Sequence, residues 1–298
     1  MKNCDTFSAC HPIVGFTYFC LVLAFSMVFT HPVCLAITLL GSTSYALYLG
    51  GSRILRAGLR FLLPLAALTA VLNPLFNHQG VTILLYSRNG NPLTLESVWY
   101  GLVMACVLVA MICWFSCYNR VMTSDKFVDL FGRIAPAFSL LLSITLRFIP
   151  RFRERFSRVS AAQRCVGCDI RTGGVARRLR NILTIFSVML TWALEGAIVT
   201  ADSMRCRGHG LPGRTAFSLY RFSRQDAFSL VFLLLGGSYI ATAGWLGALR
   251  WRYIPIMYGE PVSIWNLGAF VAYLAICLFP LIVDGKEAIV WHSLKSRI

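Results

Sequence analysis

Hydrophobic and polar positions fall into long blocks along this chain. Leu21 to Leu49, Val98 to Cys117, Phe228 to Leu249 and Ile264 to Val283 contain no acid, Lys or Arg. Each runs for roughly 20 residues or more, about what a helix needs to cross ~30 Å of hydrocarbon. The run from Pro12 to Thr30 meets a second run, ending at Gly50, at His31-Pro32. Proline discourages helix at the residue before it, so the pattern predicts a helical hairpin there. A third run, Phe61 to about Leu75, is short and contains Pro64 and Pro74. Phe76 to Ser97 is a polar connection with turn formers at Asn77, Asn89-Gly90 and Asn91-Pro92. Two further apolar stretches, Ile134 to Ile149 and Ile182 to Ala201, are bordered by arginines.

Charge orients these blocks. The 298 residues carry 28 Lys and Arg against 12 Asp and Glu, a formal net charge of +16. The basic residues cluster between apolar blocks and are not interleaved with aromatics in the manner of a nucleic-acid binder. They are positive-inside charge, and no nucleic acid is expected as a partner. Arg53, Arg56 and Arg60 form one cluster, and Arg147, Arg151, Arg153, Arg155, Arg158, Arg164, Arg171, Arg177, Arg178 and Arg180 form another. If the stretches flanking the second cluster both crossed the bilayer, that cluster would lie outside, so they are expected to remain cytoplasmic or to dip in. The resulting expectation is an all-α polytopic membrane protein of about six spans, with both termini cytoplasmic. Its parts are N-terminal transmembrane helices over 1–118, a cytoplasmic segment over 119–225 and C-terminal transmembrane helices over 226–298. Phe76 to Ser97 and Arg250 to Glu260 would be external, which leaves Arg250 and Arg252 on the wrong side of the rule. The N-terminus lacks a basic leader and small-residue cleavage site, so its first apolar block is expected to be retained.

Candidate chemistry is sparse. GxxxxGK[ST] does not occur, since Gly285-Lys286 is followed by Glu287, and no ATP hydrolysis is expected from this chain. Gly208-His209-Gly210-Leu211-Pro212-Gly213 matches GxGxxG but follows a helix-like stretch instead of a strand, so it reads as a helix end. Of eleven cysteines, Cys20, Cys34, Cys106, Cys113 and Cys277 lie in apolar blocks, and the one CxxC, Cys165 to Cys168, lacks a second ligand pair. No cofactor or metal is expected. The spans lack the buried carboxylate or histidine of an ion-coupled carrier, and no repeat of paired halves is visible. Asp125, Asp129, Glu154, Asp169, Glu195 and Asp202 form no tight acid/base motif. That weakens the alternative of a polytopic enzyme acting on a phosphorylated lipid; a membrane scaffold is the other alternative.

Two segments are more specific: Ala161 to Asp169, containing Ala162, Gln163, Cys165, Val166 and Gly167, and Ala201 to Gly210, containing Cys206, Arg207 and Gly208. Each is a helical run ending in a small residue, a variable residue and a helix-terminating glycine. Together with Cys10-His11-Pro12 and Leu146-Arg147-Phe148-Ile149-Pro150-Arg151-Phe152, they make the chain resemble the T component of energy-coupling factor (ECF) transporters, a family that includes the cobalt-transport permeases. The resemblance implies two coupling-helix ends that fit grooves on two ABC-type ATPase subunits, or on one fused ATPase. It also implies a substrate-binding membrane S subunit for a vitamin or metal ion, with ATP bound by the partners. The family's two triplets read Ala-Arg-Gly. The second matches as Cys206-Arg207-Gly208, whereas Val166 replaces the arginine of the first, with Ala162, Gln163, Gly167 and Asp169 still fitting. An apolar contact is then expected at the first dock and a charged one at the second.

Overall fold

The computed structural model describes residues 6–86, 92–132, 135–169, 174–211, 220–259 and 263–295. Its elements are α1 (Thr6–Ala9), α2 (Pro12–Val28), α3 (Pro32–Phe76), β1 (Ile83–Tyr86), β2 (Pro92–Thr94), α4 (Leu95–Val121), α5 (Ser124–Gly132), α6 (Pro136–Cys165), α7 (Val175–Cys206), α8 (Arg224–Trp245), β3 (Trp251–Arg252), β4 (Tyr258–Gly259) and α9 (Ile264–Lys295). The strands form two separate antiparallel hairpins, β1 with β2 and β3 with β4. The chain divides into two compact units, one of Met1–Thr123 with Tyr220–Ile298 and one of Ser124–Leu219. Ile134, Arg171, Asn89, Gly90, Asn91, Pro212, Gly213 and Glu260, all named above, lie outside the described residues.

The first unit packs α1 to α4 with α8 and α9 around an aromatic centre. Phe7, Tyr18, Phe19, Tyr45 and Trp114 are buried, and their rings meet edge-on or tilted at centroid distances of 5.1 to 6.5 Å. Such pairs add to the stabilisation from burial of the rings themselves. Cys34, Cys113, Cys117 and Cys277 fill gaps in this core as small apolar groups. The His31-Pro32 reversal is present and uses the same device as His11-Pro12. In each, Pro opens the helix and the histidine Nδ1 accepts the second backbone N–H, Ile13 at 3.3 Å and Val33 at 3.2 Å. Ser52 to Arg60, which carries the first arginine cluster, is helical. The chain breaks only at Gly51 (φ 66°) and resumes as helix through Pro64 and Pro74 to Phe76.

Contacts at the helix ends give this unit two faces. On one, Phe7 N donates to Asp284 Oδ1 (2.8 Å), His11 N donates to Asp226 Oδ1 (3.1 Å), and Arg120 Nη1 donates to the Leu49 carbonyl (2.6 Å). Asp226 also completes a capping box with Ser223 at the start of α8. On the other face, Tyr253 Oη donates to the Thr30 carbonyl (2.9 Å), His31 packs on Trp251, and Thr82 Oγ1 donates to Glu96 (2.6 Å). The ends of the helices therefore alternate between the faces as the charge pattern predicts. The end of α4 meets the end of Pro32–Gly51 through Arg120 and the Leu49 carbonyl, and His11 at the start of α2 binds Asp226 at the start of α8.

Five helices are long and apolar enough to cross a membrane: Pro32–Gly51, Leu95–Val121, Val175–Cys206, Arg224–Trp245 and Asn266–Glu287. Pro12–Val28 and Arg60–Phe76 are shorter apolar helices. Five of the six expected spans coincide with helices of the first unit as single segments, and the third with Arg60–Phe76. The helix containing Ile182 to Ala201, expected to stay out of the count, meets the criterion by length and composition.

The second unit consists of α5, α6 and α7. A ring contact from Phe131 to Phe138 and a hydrogen bond from Ser139 Oγ to the Val128 carbonyl (3.0 Å) join α5 to α6. On α7, Asn181, Ile185 and Met189 are buried at a spacing of four residues, which lines one face of a helix. Most of its remaining apolar side chains, including Ile182, Leu183, Phe186, Leu194 and Ile198, are exposed.

Candidate functional site: two helix ends

Both sequence-predicted triplets lie at helix ends, and the two ends have the same backbone. Helix α6 finishes at Cys165, with Val166 as its cap and Gly167 at φ +83°. The Gly167 N–H reaches the Arg164 carbonyl (3.0 Å), and the Cys168 N–H reaches the Gln163 carbonyl (2.9 Å). Helix α7 finishes at Cys206, with Arg207 as its cap and Gly208 at φ +75°. There the Gly208 N–H reaches the Arg205 carbonyl (2.9 Å), and the His209 N–H reaches the Met204 carbonyl (3.0 Å). Each set is a Schellman closure, in which a left-handed residue turns the chain back over the last turn and satisfies two orphan carbonyls. A side chain at that position would cost left-handed strain, which explains why glycine follows the variable residue in both triplets.

The closures push the preceding side chains outward. Val166 is 77% exposed, and Arg207, Cys165 and Cys206 are exposed as well. Ala162 is exposed on the last turns of α6, and Gln163 is half-buried, its carbonyl occupied by Cys168. Asp169 follows the closure and forms an ion pair with Arg164 at 3.4 Å, while its carbonyl accepts Asn181 Nδ2 at 2.9 Å. The first triplet is thereby tied to α7, an arrangement that spacing did not reveal. The nine candidates form two sites at separate helix ends, not one cluster.

Sequence reasoning also missed what joins the helices that carry the ends. Arg155 places its guanidinium carbon 3.8 Å from the centroid of the Trp192 ring, a cation–π contact between α6 and α7. The Asn181, Ile185, Met189 stripe was detectable in principle from its four-residue spacing. It was hidden because the surrounding positions of α7 are apolar too. Among the described residues, no group of three or more His, Cys, Asp or Glu is placed to hold a metal ion.

Several known proteins are similar to this chain in sequence. The chain is 34% identical over 98 residues to the energy-coupling factor transporter transmembrane protein EcfT of Lactobacillus helveticus (strain DPC 4571), covering 33% of this chain and 35% of that protein. It is 33% identical over 98 residues to the protein of the same name from Exiguobacterium sibiricum, covering 33% of this chain and 37% of that protein. The chain thus matches little more than a third of the length of these relatives. A longer match, 29% identical over 201 residues, takes in 63% of this chain and 75% of the EcfT of Thermosediminibacter oceani. These are names of transporter membrane components, not of enzymes. The family profile described as CbiQ, cobalt transport protein, matches residues 14–217. That match takes in α3 to α7 whole and both helix ends, and the chain, a multi-pass helical membrane protein, belongs to the CbiQ cobalt transport protein family.

Proposed function

We propose that this chain is the transmembrane coupling subunit of an ABC-type ECF importer. In this reading the exposed ends of α6 and α7 dock into grooves on two ATPase subunits, or on the two halves of a fused ATPase. Val166 makes an apolar contact at the first dock, and Arg207 pairs with a carboxylate at the second. ATP is bound and hydrolysed by those partners. Their closure pushes α6 and α7, which the Arg155–Trp192 contact and the buried Ile185 and Met189 link to each other. A membrane S subunit that binds a vitamin or metal ion receives the movement. The uncovered apolar side chains of α6 and α7 suit burial against lipid or that subunit, because contiguous exposed apolar surface marks such a contact. Both termini are cytoplasmic in this scheme, on the face where Phe7 meets Asp284.

The observation that carries this reading is the pair of Schellman-closed helix ends, each presenting one exposed side chain in front of a glycine, in a chain of this family. The test is co-expression with ATPases encoded beside it. The expected result is that the ATPases co-purify with this chain, that ATP-dependent uptake requires both, and that the chain alone neither binds nor hydrolyses ATP. ATP turnover by the chain alone, surviving removal of contaminating ATPases, would overturn the assignment.

A further inference from the structure

The face of the first unit that holds Thr30, Glu96 and Trp251 is the one on which the charge pattern predicts few cations, yet Arg250 and Arg252 lie there. They line one cavity of about 420 Å³, together with Leu246, Gly247 and Tyr258. Among the described residues, neither guanidinium has a hydrogen bond, ion pair or ring contact. A paired arginine would be explained by its partner, and these two are not. The α8 carbonyls nearest the cavity do not neutralise them. Gly247 N–H closes on the Gly244 carbonyl (3.1 Å), and Ala248 N–H closes on the Ala243 carbonyl (3.0 Å). Large side chains beside the two arginines face outward: of the lining residues Leu246 is 85% exposed and Tyr258 73%, and Trp245, next to Leu246 in sequence, is 93% exposed. Exposed tryptophan, tyrosine and leucine at the end of a membrane-length helix match the headgroup level of a bilayer, where one side of a ring is wet and the other sits in acyl chain.

We propose that this cavity holds the headgroup phosphate of an anionic phospholipid from the leaflet on that face. Two arginines supply paired N–H donors to the phosphate oxygens, the Tyr258 hydroxyl supplies a further donor, and Trp245 and Leu246 lie along the acyl chains. The lipid supplies the negative charge that Arg250 and Arg252 lack among the described residues. It also anchors the β3–β4 hairpin at the membrane surface and gives this face the only basic site its described residues contain outside Phe76 to Ser97.

Intact-protein mass spectrometry of the full chain in detergent, titrated with phosphatidylglycerol or with phosphatidylcholine of the same acyl chains, tests this. The wild type is expected to retain one more phosphatidylglycerol than the variant carrying Arg250→Gln with Arg252→Gln, and its affinity for that lipid should exceed the variant's by roughly tenfold or more. Lipid held by the arginines of the second unit is common to both proteins and cancels. The variant carrying Arg250→Lys with Arg252→Lys should keep part of the binding, and a wild-type helical spectrum for the glutamine variant separates loss of the site from loss of the fold. Equal retention of phosphatidylcholine would overturn the proposal, as would identical adduct counts in wild type and the glutamine variant. Displacement of the bound lipid by millimolar glycerol 3-phosphate would also overturn it, by making the site one for a free anion.

Discussion

The ends of α6 and α7 share a backbone and differ in one exposed side chain. In both, glycine at positive φ follows the cap and two N–H groups close on carbonyls at 2.9 to 3.0 Å. Valine stands at one cap and arginine at the other, and neither contributes to the closure through its side chain. Shape and chemistry are thus carried by different residues: the glycine sets the direction in which the end projects, and the residue before it sets what the end can bind. A family whose triplets read Ala-Arg-Gly can accept Val166 without altering the fold of the helix end. In the proposed docking, only the partner's surface would have to change.

The largest expected effect tests the charged end. A charge-assisted hydrogen bond is worth roughly 1.5 to 3 kcal/mol, so Arg207→Ala should weaken ATPase association by about tenfold or more. Arg207→Glu should weaken it further by adding like-charge repulsion. Pull-down affinity and ATP-dependent uptake are the measurements. If Arg207→Glu left both unchanged while Arg205→Glu abolished them, the contact would belong to the neighbouring arginine.

Next comes the apolar end. Val166→Asp should weaken association strongly, because docking would bury a charge without a partner, whereas Val166→Ala should cost only about 1 to 2 kcal/mol of apolar contact. Val166→Arg sharpens the comparison most. It restores the family's triplet, and with ATPases whose first groove is shaped for valine it should weaken association. A gain in affinity would mean that the groove still carries its carboxylate.

The shared backbone predicts shared costs. Gly167→Ala and Gly208→Ala should each strain the closure by about 1 to 2 kcal/mol, read as faster hydrogen exchange of the Cys168 and His209 amides. A Cβ at Gly167 meets nothing within 4 Å, and one at Gly208 meets only the Leu211 side-chain end at 3.2 Å. The cost is therefore conformational at both and should be nearly equal. A large difference would show that the two ends are not the same motif in solution.

Both ends could be read from sequence because glycine after a helical run leaves few ways to finish the helix. The apolar blocks were legible for a similar reason, since membrane length is a strong constraint. The break at Gly51 was harder: Gly50-Gly51 lies between an apolar run and the Arg53, Arg56 and Arg60 cluster, and nothing local says whether the helix stops there or resumes. The joins between elements were not legible at all. Asp226 and Asp284 hold the backbone N–H groups of His11 and Phe7, more than 200 residues away in sequence. No local pattern reports such pairings. The cation–π contact of Arg155 with Trp192 was lost among ten arginines that charge alone could not tell apart.

Arg164 is the smallest and most discriminating case. It sits two residues before Val166 and resembles Arg205, which sits two residues before Arg207, so sequence alone would treat both as solvated charges. Arg164 is instead paired with Asp169, in an ion pair whose side chains are 47% and 27% exposed. Pairs so open to water are worth about 1 kcal/mol at most, and the Asn181 hydrogen bond to the Asp169 carbonyl remains when Arg164 is truncated. Arg164→Ala should therefore lower ATPase association less than fivefold, a change that 0.5 M salt should largely reproduce in the wild type by screening the pair. If the effect of Arg164→Ala approached that of Arg207→Ala and survived high salt, Arg164 would be the residue that reaches the first groove. The end with valine would then owe its docking to the arginine two residues back, and the two ends would be alike in chemistry as well as in shape.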